Sequence, residues 1–235
     1  MNCTAPALSD NLKALGHRCL RVHHACLWRR SGEEKDRSNS ELVLPGGLAS
    51  ADARAALRMR VRQVHIGHTQ NSLRSMGFLR AATADDPPSL SAPSAWSACV
   101  PVVWWPVWGY NIGEFWQNSA LPLAELLAAR MLDREVLLTP EVGGWPLLDY
   151  HAAMLRPFSR HAARSLAQRA AAAPAGAPRC YATVLLCRFR DSYDAPPRAE
   201  PRGVIAPWGA AQQVVAALGR DKPPQATRPD STPLR

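Results

Sequence analysis

The chain has 235 residues, 47% of them hydrophobic, with a formal net charge of +9, which is enough apolar material for a real core and too much for a disordered polymer. Only three of its 28 basic residues are lysines (Lys13, Lys35 and Lys222), the arginine bias of GC-rich coding. Residues 101 to 150 carry six acids (Glu114, Glu125, Asp133, Glu135, Glu141, Asp149) against Arg130 and Arg134, so the basic excess lies away from the most core-like segment and no Arg/Lys stripe interleaves with the tryptophans as nucleic-acid binding requires.

In chain order, "NLKALGHRCLRVHHACLWRR" is basic, nearly acid-free and sets Leu12, Leu15, Cys19 and Val22 at helical spacing. That pattern predicts an amphipathic surface helix, although an organelle transit peptide has the same texture. His17, Cys19, His23, His24 and Cys26 fall within ten residues of one another; their spacing matches no familiar zinc finger, and a shared helical face explains them without a metal. The six cysteines are widely scattered, and both free thiols and bridges fit them. The polar "RRSGEEKDRSNSE", the turn "LPGGLAS" and the linker "TADDPPSLSAPS" make residues 1–97 a weakly structured region. Within it, "VHIGHT" contains the letters HIGH, with His65 and His68, but no buried strand precedes it, which favours a polar turn over an ATP site.

From Cys99 onward the texture changes. "VPVVWW" has the density of a short buried strand bounded by Pro101 and Pro106. "EFWQNSALPLAELLAARML" places Phe115, Leu123, Leu126, Leu127 and Met131 on one helical face, with Pro122 bending or delaying the helix. "REVLLT" is a second strand, "PLLDYHAAML" and "SRHAARSLAQRAAAA" are helices broken at Pro157, and "CYATVLLC" is a third strand. The order predicts a parallel sheet covered by helices over residues 98–220, with a disordered tail at 221–235. Ligands of such sheets bind beyond the carboxyl ends of the strands, and "NIGEFWQNSALPL" occupies the turn after "VPVVWW". There Asn111 caps, Glu114 sits in the first helical turn where the dipole favours an acid, and Phe115 and Trp116 pack. No Gly-rich phosphate loop and no GxSxG elbow accompany it. No stretch approaches the length of a membrane span.

The same segment resembles the family 61 glycosyltransferases, which carry Asn-x-Gly-His-Phe-x-x-Asp-x-x-x-Pro-Leu soon after a buried strand. Asn111, Gly113, Phe115, Pro122 and Leu123 fall on that pattern, and "CYATVLLCRF" resembles the cysteine-aromatic strand before the family's nucleotide-sugar half. The resemblance spans about residues 100–190 and departs where Glu114 replaces the family histidine and Gln117 or Asn118 replaces the acidic position. It implies an α/β fold with one Rossmann-like lobe of a two-lobe (GT-B-like) enzyme, flanked by poorly structured N- and C-terminal segments. It also implies inverting transfer of a sugar from a nucleotide-sugar donor, expected to be a UDP-sugar, to a glycan or protein acceptor, with no metal. Glu114 is the candidate base, with Asn111, Gly113 and Asn118 at the acceptor cleft. The family's His-Gly-Ala-Gly-Leu donor segment has no counterpart here, so a truncated or inactive form is one expectation. A Golgi or endoplasmic reticulum lumen location follows from the resemblance alone. The alternatives are a non-catalytic binding or scaffold protein and, after it, a basic nucleic-acid-binding protein.

Overall fold

A computed structural model describes residues 3, 6–9, 13–14, 17–29, 40–45, 51–63, 72–75, 78–106, 109–142, 147–173 and 177–189. The strands are β1 (Lys13–Ala14), β2 (His17–Arg29), β3 (Ser40–Leu44), β4 (Arg60–Gln63), β5 (Ser72–Ser75), β6 (Leu79–Ala81), β7 (Pro101–Trp104), β8 (Leu137–Pro140) and β9 (Arg179–Arg188). The helices are α1 (Ala51–Leu57), α2 (Pro88–Ser91), α3 (Ile112–Phe115), α4 (Leu121–Ala128), α5 (Asp149–Leu155) and α6 (Leu166–Ala171). β4 and β5 form a separate two-stranded ribbon.

The remaining strands build one seven-stranded mixed sheet in the order β6-β3-β2-β9-β7-β8, with β1 on β2. β7 runs parallel to both β8 and β9, and β3 runs parallel to β6, whereas β2 is antiparallel to β3 and β9. All four residues of β7 and of β8 are buried, the continuous apolar run of strands covered on both faces. On one face Val102, Trp104, Leu138 and Leu185 pack with Phe115, Leu123 and Leu126 of the α3–α4 segment and Leu155 of α5. On the other, Val103, Leu137, Val184 and Leu186 pack with Ala53 and Ala56 of α1 and Leu166 of α6. The chain is thus α/β, a mixed sheet with helices on both faces.

Two expectations are corrected. The stretch read as a surface helix is the long strand β2, paired with β9 from Arg18↔Arg188 to Leu27↔Arg179. His24 adopts a left-handed φ of 59°, and the alternation of side chains slips there: Leu20 and Val22 face the same cluster as Ala25 and Leu27. The spacing read as helical ends at Val22, before this slip; Cys19 and Val22, which a helix would put on one face, lie in clusters on opposite faces of the sheet. Secondly, weak structure before residue 98 does not hold for β2, β3 and β6, which complete the sheet begun by β7–β9; β7, β8 and β9 are mutually parallel as expected, and the reversed β2 makes the whole sheet mixed. Of the two states left open for the cysteines, bridges are the ones that form, as Cys3–Cys99, Cys19–Cys187 and Cys26–Cys180. The last two join residues directly opposite on β2 and β9. Bridging Cys19 and Cys26 removes the thiolates from the His/Cys group near β2, and no cluster of three metal-ligating side chains occurs among the described residues.

The strands over "VPVVWW", "REVLLT" and "CYATVLLC" form as β7, β8 and β9. The helix after β7 is interrupted by a π turn over Trp116–Ala120, where the Leu121 N–H reaches back to the Trp116 carbonyl. Pro122 explains it: proline has no N–H for the Asn118 carbonyl and its ring crowds that carbonyl, so the preceding turn widens. α4 ends with Arg130 at a φ of 54° and the Met131 N–H on the Leu126 carbonyl, a Schellman closure with arginine in the usual glycine position. α6 begins later than the sequence pattern, at a capping box in which Ser165 and Gln168 satisfy each other's backbone N–H. The linker "TADDPPSLSAPS" is anchored by Arg80, which donates to Glu41 at 2.8 Å and in bidentate fashion to Asp86 at 2.6 and 2.8 Å. Its guanidinium also lies 5.6 Å from the Trp28 ring centre. The "VHIGHT" motif, half of "PEVGGW" and the C-terminal tail lie outside the described residues.

Candidate active site at the carboxyl edge of the parallel strands

β7 and β8 end side by side, and the ladder extends one step past them where the Glu141 N–H donates to the Trp104 carbonyl at 2.8 Å. Two segments leave this edge, one into α3 and one into α5. The Asn111 side-chain oxygen accepts from the backbone N–H groups of Gly113 and Glu114, each at 3.0 Å, so Asn111 is the N-cap that starts the helix. Glu114, half-buried, receives the Asn118 side-chain amide at 2.7 Å. Asn118 itself is 2% exposed and supports Glu114 from the core side. The next residue of the π turn, Ser119, accepts from the Trp104 indole N–H at 3.0 Å, which ties the turn to the end of β7.

The two exit segments are fastened together by α5. His151 is buried; its Nδ1 accepts from the Leu148 N–H at 3.1 Å, and its Nε2 contacts the Gly109 carbonyl. Because an N–H already points at Nδ1, the proton of the neutral ring sits on Nε2 and is donated to Gly109. Burial pulls the His151 pKa below its ordinary value, opposed only in part by the Gly109 bond. Tyr150 donates its hydroxyl to the same carbonyl at 3.3 Å, and burial raises its pKa. The Phe115 ring packs against both, 4.3 Å from His151 and 6.5 Å from Tyr150 between ring centres. A Cβ at position 109 would make ordinary contacts with Pro106 and Val142, at 3.4 and 3.5 Å. Around this frame stand Tyr110, Ile112 and Leu148, which are the exposed large hydrophobic residues of the described chain.

Comparison with family models, curated proteins and solved structures finds no match to this chain. The site therefore rests on its own geometry. Of the residues singled out in the sequence, Asn111, Gly113, Glu114 and Asn118 do come together: Asn111 and Gly113 form the exposed cap, Glu114 follows it, and Asn118 holds Glu114. Sequence reasoning missed His151, Tyr150 and the buried Glu141. Glu141 sits directly after a buried strand, a position that signals a carboxylate at the ligand edge. His151 carries no such signal, since its two partners lie in segments whose approach only the fold creates. Among the described residues, no helix is long and apolar enough to cross a membrane.

Proposed function

We propose that this chain is a glycosyltransferase-like protein that moves a sugar from a nucleotide-sugar donor to a glycan or protein acceptor, with the described sheet as the acceptor-side lobe. The observation that carries this is the Glu114–Asn118 pair at the carboxyl edge of β7, a half-buried carboxylate held at 2.7 Å by a buried amide. In an inverting displacement the acceptor oxygen attacks the anomeric carbon as the diphosphate leaves, and a base must take the hydroxyl proton. Glu114 is fixed for this by Asn118 below it and by the Asn111 cap beside it. The exposed Tyr110 ring, with Ile112 and Leu148, offers an apolar rim on which the C–H face of a sugar ring can lie while its hydroxyls meet polar groups. A UDP-sugar is the donor class drawn from the family resemblance, and no step here calls for a metal. The three disulfides fit a compartment that oxidises thiols, such as the endoplasmic reticulum or Golgi lumen.

The test is transfer from a panel of UDP-sugars to oligosaccharide and glycopeptide acceptors, comparing the protein with its Glu114→Gln variant. Transfer that falls steeply in the variant supports the assignment. Acceptor binding without transfer in either protein would replace it with a binding or scaffold role.

A further inference from the structure

On the opposite face of the sheet from Glu114, α6 buries a cation. Arg169 is 1% exposed. Its Nε donates to the Thr139 hydroxyl at 2.9 Å and its Nη2 to the Leu138 carbonyl at 3.2 Å. The same carbonyl accepts the backbone N–H of Arg164 at 3.2 Å, which sets the Arg164 backbone beside Arg169 above β8. Arg179, at the start of β9, acts on Arg169 through space, as does Arg164. None of the three pairs with a carboxylate among the described residues, whereas Arg80 and Arg160 both do. Burial accordingly pulls the Arg169 pKa down to about 10.

A second group in this region also lacks a counterpart. The Tyr181 hydroxyl is buried and makes no hydrogen bond of good geometry among the described residues, although Arg169 and Arg179 lie close enough to act on it. An isolated buried charge and an unbonded buried hydroxyl are each destabilising, and native structures keep such groups where a bound ion or water completes them. The cluster is graded from core to surface: Arg169 buried, Arg179 half-buried and Arg164 exposed, which provides a cationic approach from solvent.

We propose that Arg164, Arg169, Arg179 and the Tyr181 hydroxyl form a binding site for a phosphate-type oxyanion. Three guanidinium groups supply fork-shaped donors and the charge to balance a dianion, and the phenol adds a donor from the side. A carboxylate offers only two oxygens to this set, so a tetrahedral anion satisfies it better. The site lies across the sheet from Glu114 and does not depend on the sugar-transfer reading.

The experiment is thermal unfolding of the full chain, disulfides intact, against inorganic phosphate, pyrophosphate and UDP, each compared with chloride at equal ionic strength. A saturable rise in Tm with inorganic phosphate is expected. A matching response to UDP and pyrophosphate identifies the phosphate groups alone as the ligand, while a larger one to UDP identifies a nucleoside diphosphate as their source. Arg169→Met should abolish the response. Should that variant not fold, the surface-side pair Arg164→Gln/Arg179→Gln should weaken phosphate binding about tenfold or more, roughly 1.4 kcal/mol. No rise beyond chloride, or a full response in the variant that folds, would overturn the site.

Discussion

His151 joins the two segments that carry the candidate site, and its removal should be felt as both stability and pH dependence. His151→Ala deletes an acceptor for the Leu148 N–H and a donor to the Gly109 carbonyl, the latter still holding Tyr150. It also deletes a buried ring in contact with Phe115 and Tyr150. Two neutral hydrogen bonds at about 1 kcal/mol each, with roughly 1 kcal/mol for the ring contacts, give a loss of about 3 kcal/mol at neutral pH. Because the folded state lowers the pKa of His151, the unfolded chain binds the proton more readily. Stability from this residue is therefore full above the ordinary histidine pKa of about 6.5 and falls with acid, at no more than about 1.4 kcal/mol per pH unit. Urea unfolding of the disulfide-intact protein and the variant at pH 7.5 and pH 5 measures both effects. The gap between them should narrow at pH 5. A gap that stays constant or widens would refute a neutral His151 bonded through Nδ1.

Asp86→Asn removes the charge that faces Arg80 in the bidentate pair; Arg80 keeps Glu41, so the loss should be about 1–3 kcal/mol in chemical denaturation. The same pair holds the Asp86 pKa well below the usual carboxylate range, so its contribution is present above about pH 4 and disappears only in stronger acid. The two β2–β9 bridges lie seven residues apart on each strand, from 19 to 26 and from 180 to 187. With Cys26–Cys180 intact, a Cys19→Ala/Cys187→Ala protein loses only a short closed loop, about 3 kcal/mol rather than the roughly 5 kcal/mol of a bridge spanning the whole chain. Equal unfolding midpoints before and after full reduction would count against both bridges. Asn111→Ala should cost about 1 kcal/mol through the lost cap, read as an earlier thermal transition.

Much of the sheet was legible because its inner strands are apolar on both faces. "VPVVWW", "REVLLT" and "CYATVLLC" allow no alternation to mislead, and they became β7, β8 and β9. β2 was not legible, since Cys19 and Val22 are spaced as on one helix face although their side chains lie on opposite faces of the sheet. The disulfides were hidden for a related reason: Cys19 meets Cys187 only once β2 is known to lie against β9. Within the candidate site, Asn111 and Glu114 were readable from local cap chemistry, which depends on neighbours in sequence. The Glu114–Asn118 bond is also a near-neighbour contact, but the π turn that buries Asn118 follows from Pro122 four residues on. His151 and the buried Arg169 answer to partners 42 and 30 residues away, and nothing in their local sequence distinguishes them from ordinary helix residues.

The central claim is that Glu114 removes the acceptor proton. It is tested most directly by single-turnover sugar transfer with Glu114→Gln, which preserves shape and a hydrogen-bonding partner for Asn118 while removing the base. Transfer slowed about 100-fold or more with acceptor affinity retained is the predicted result. A variant that transfers sugar at the rate of the unaltered protein would contradict it.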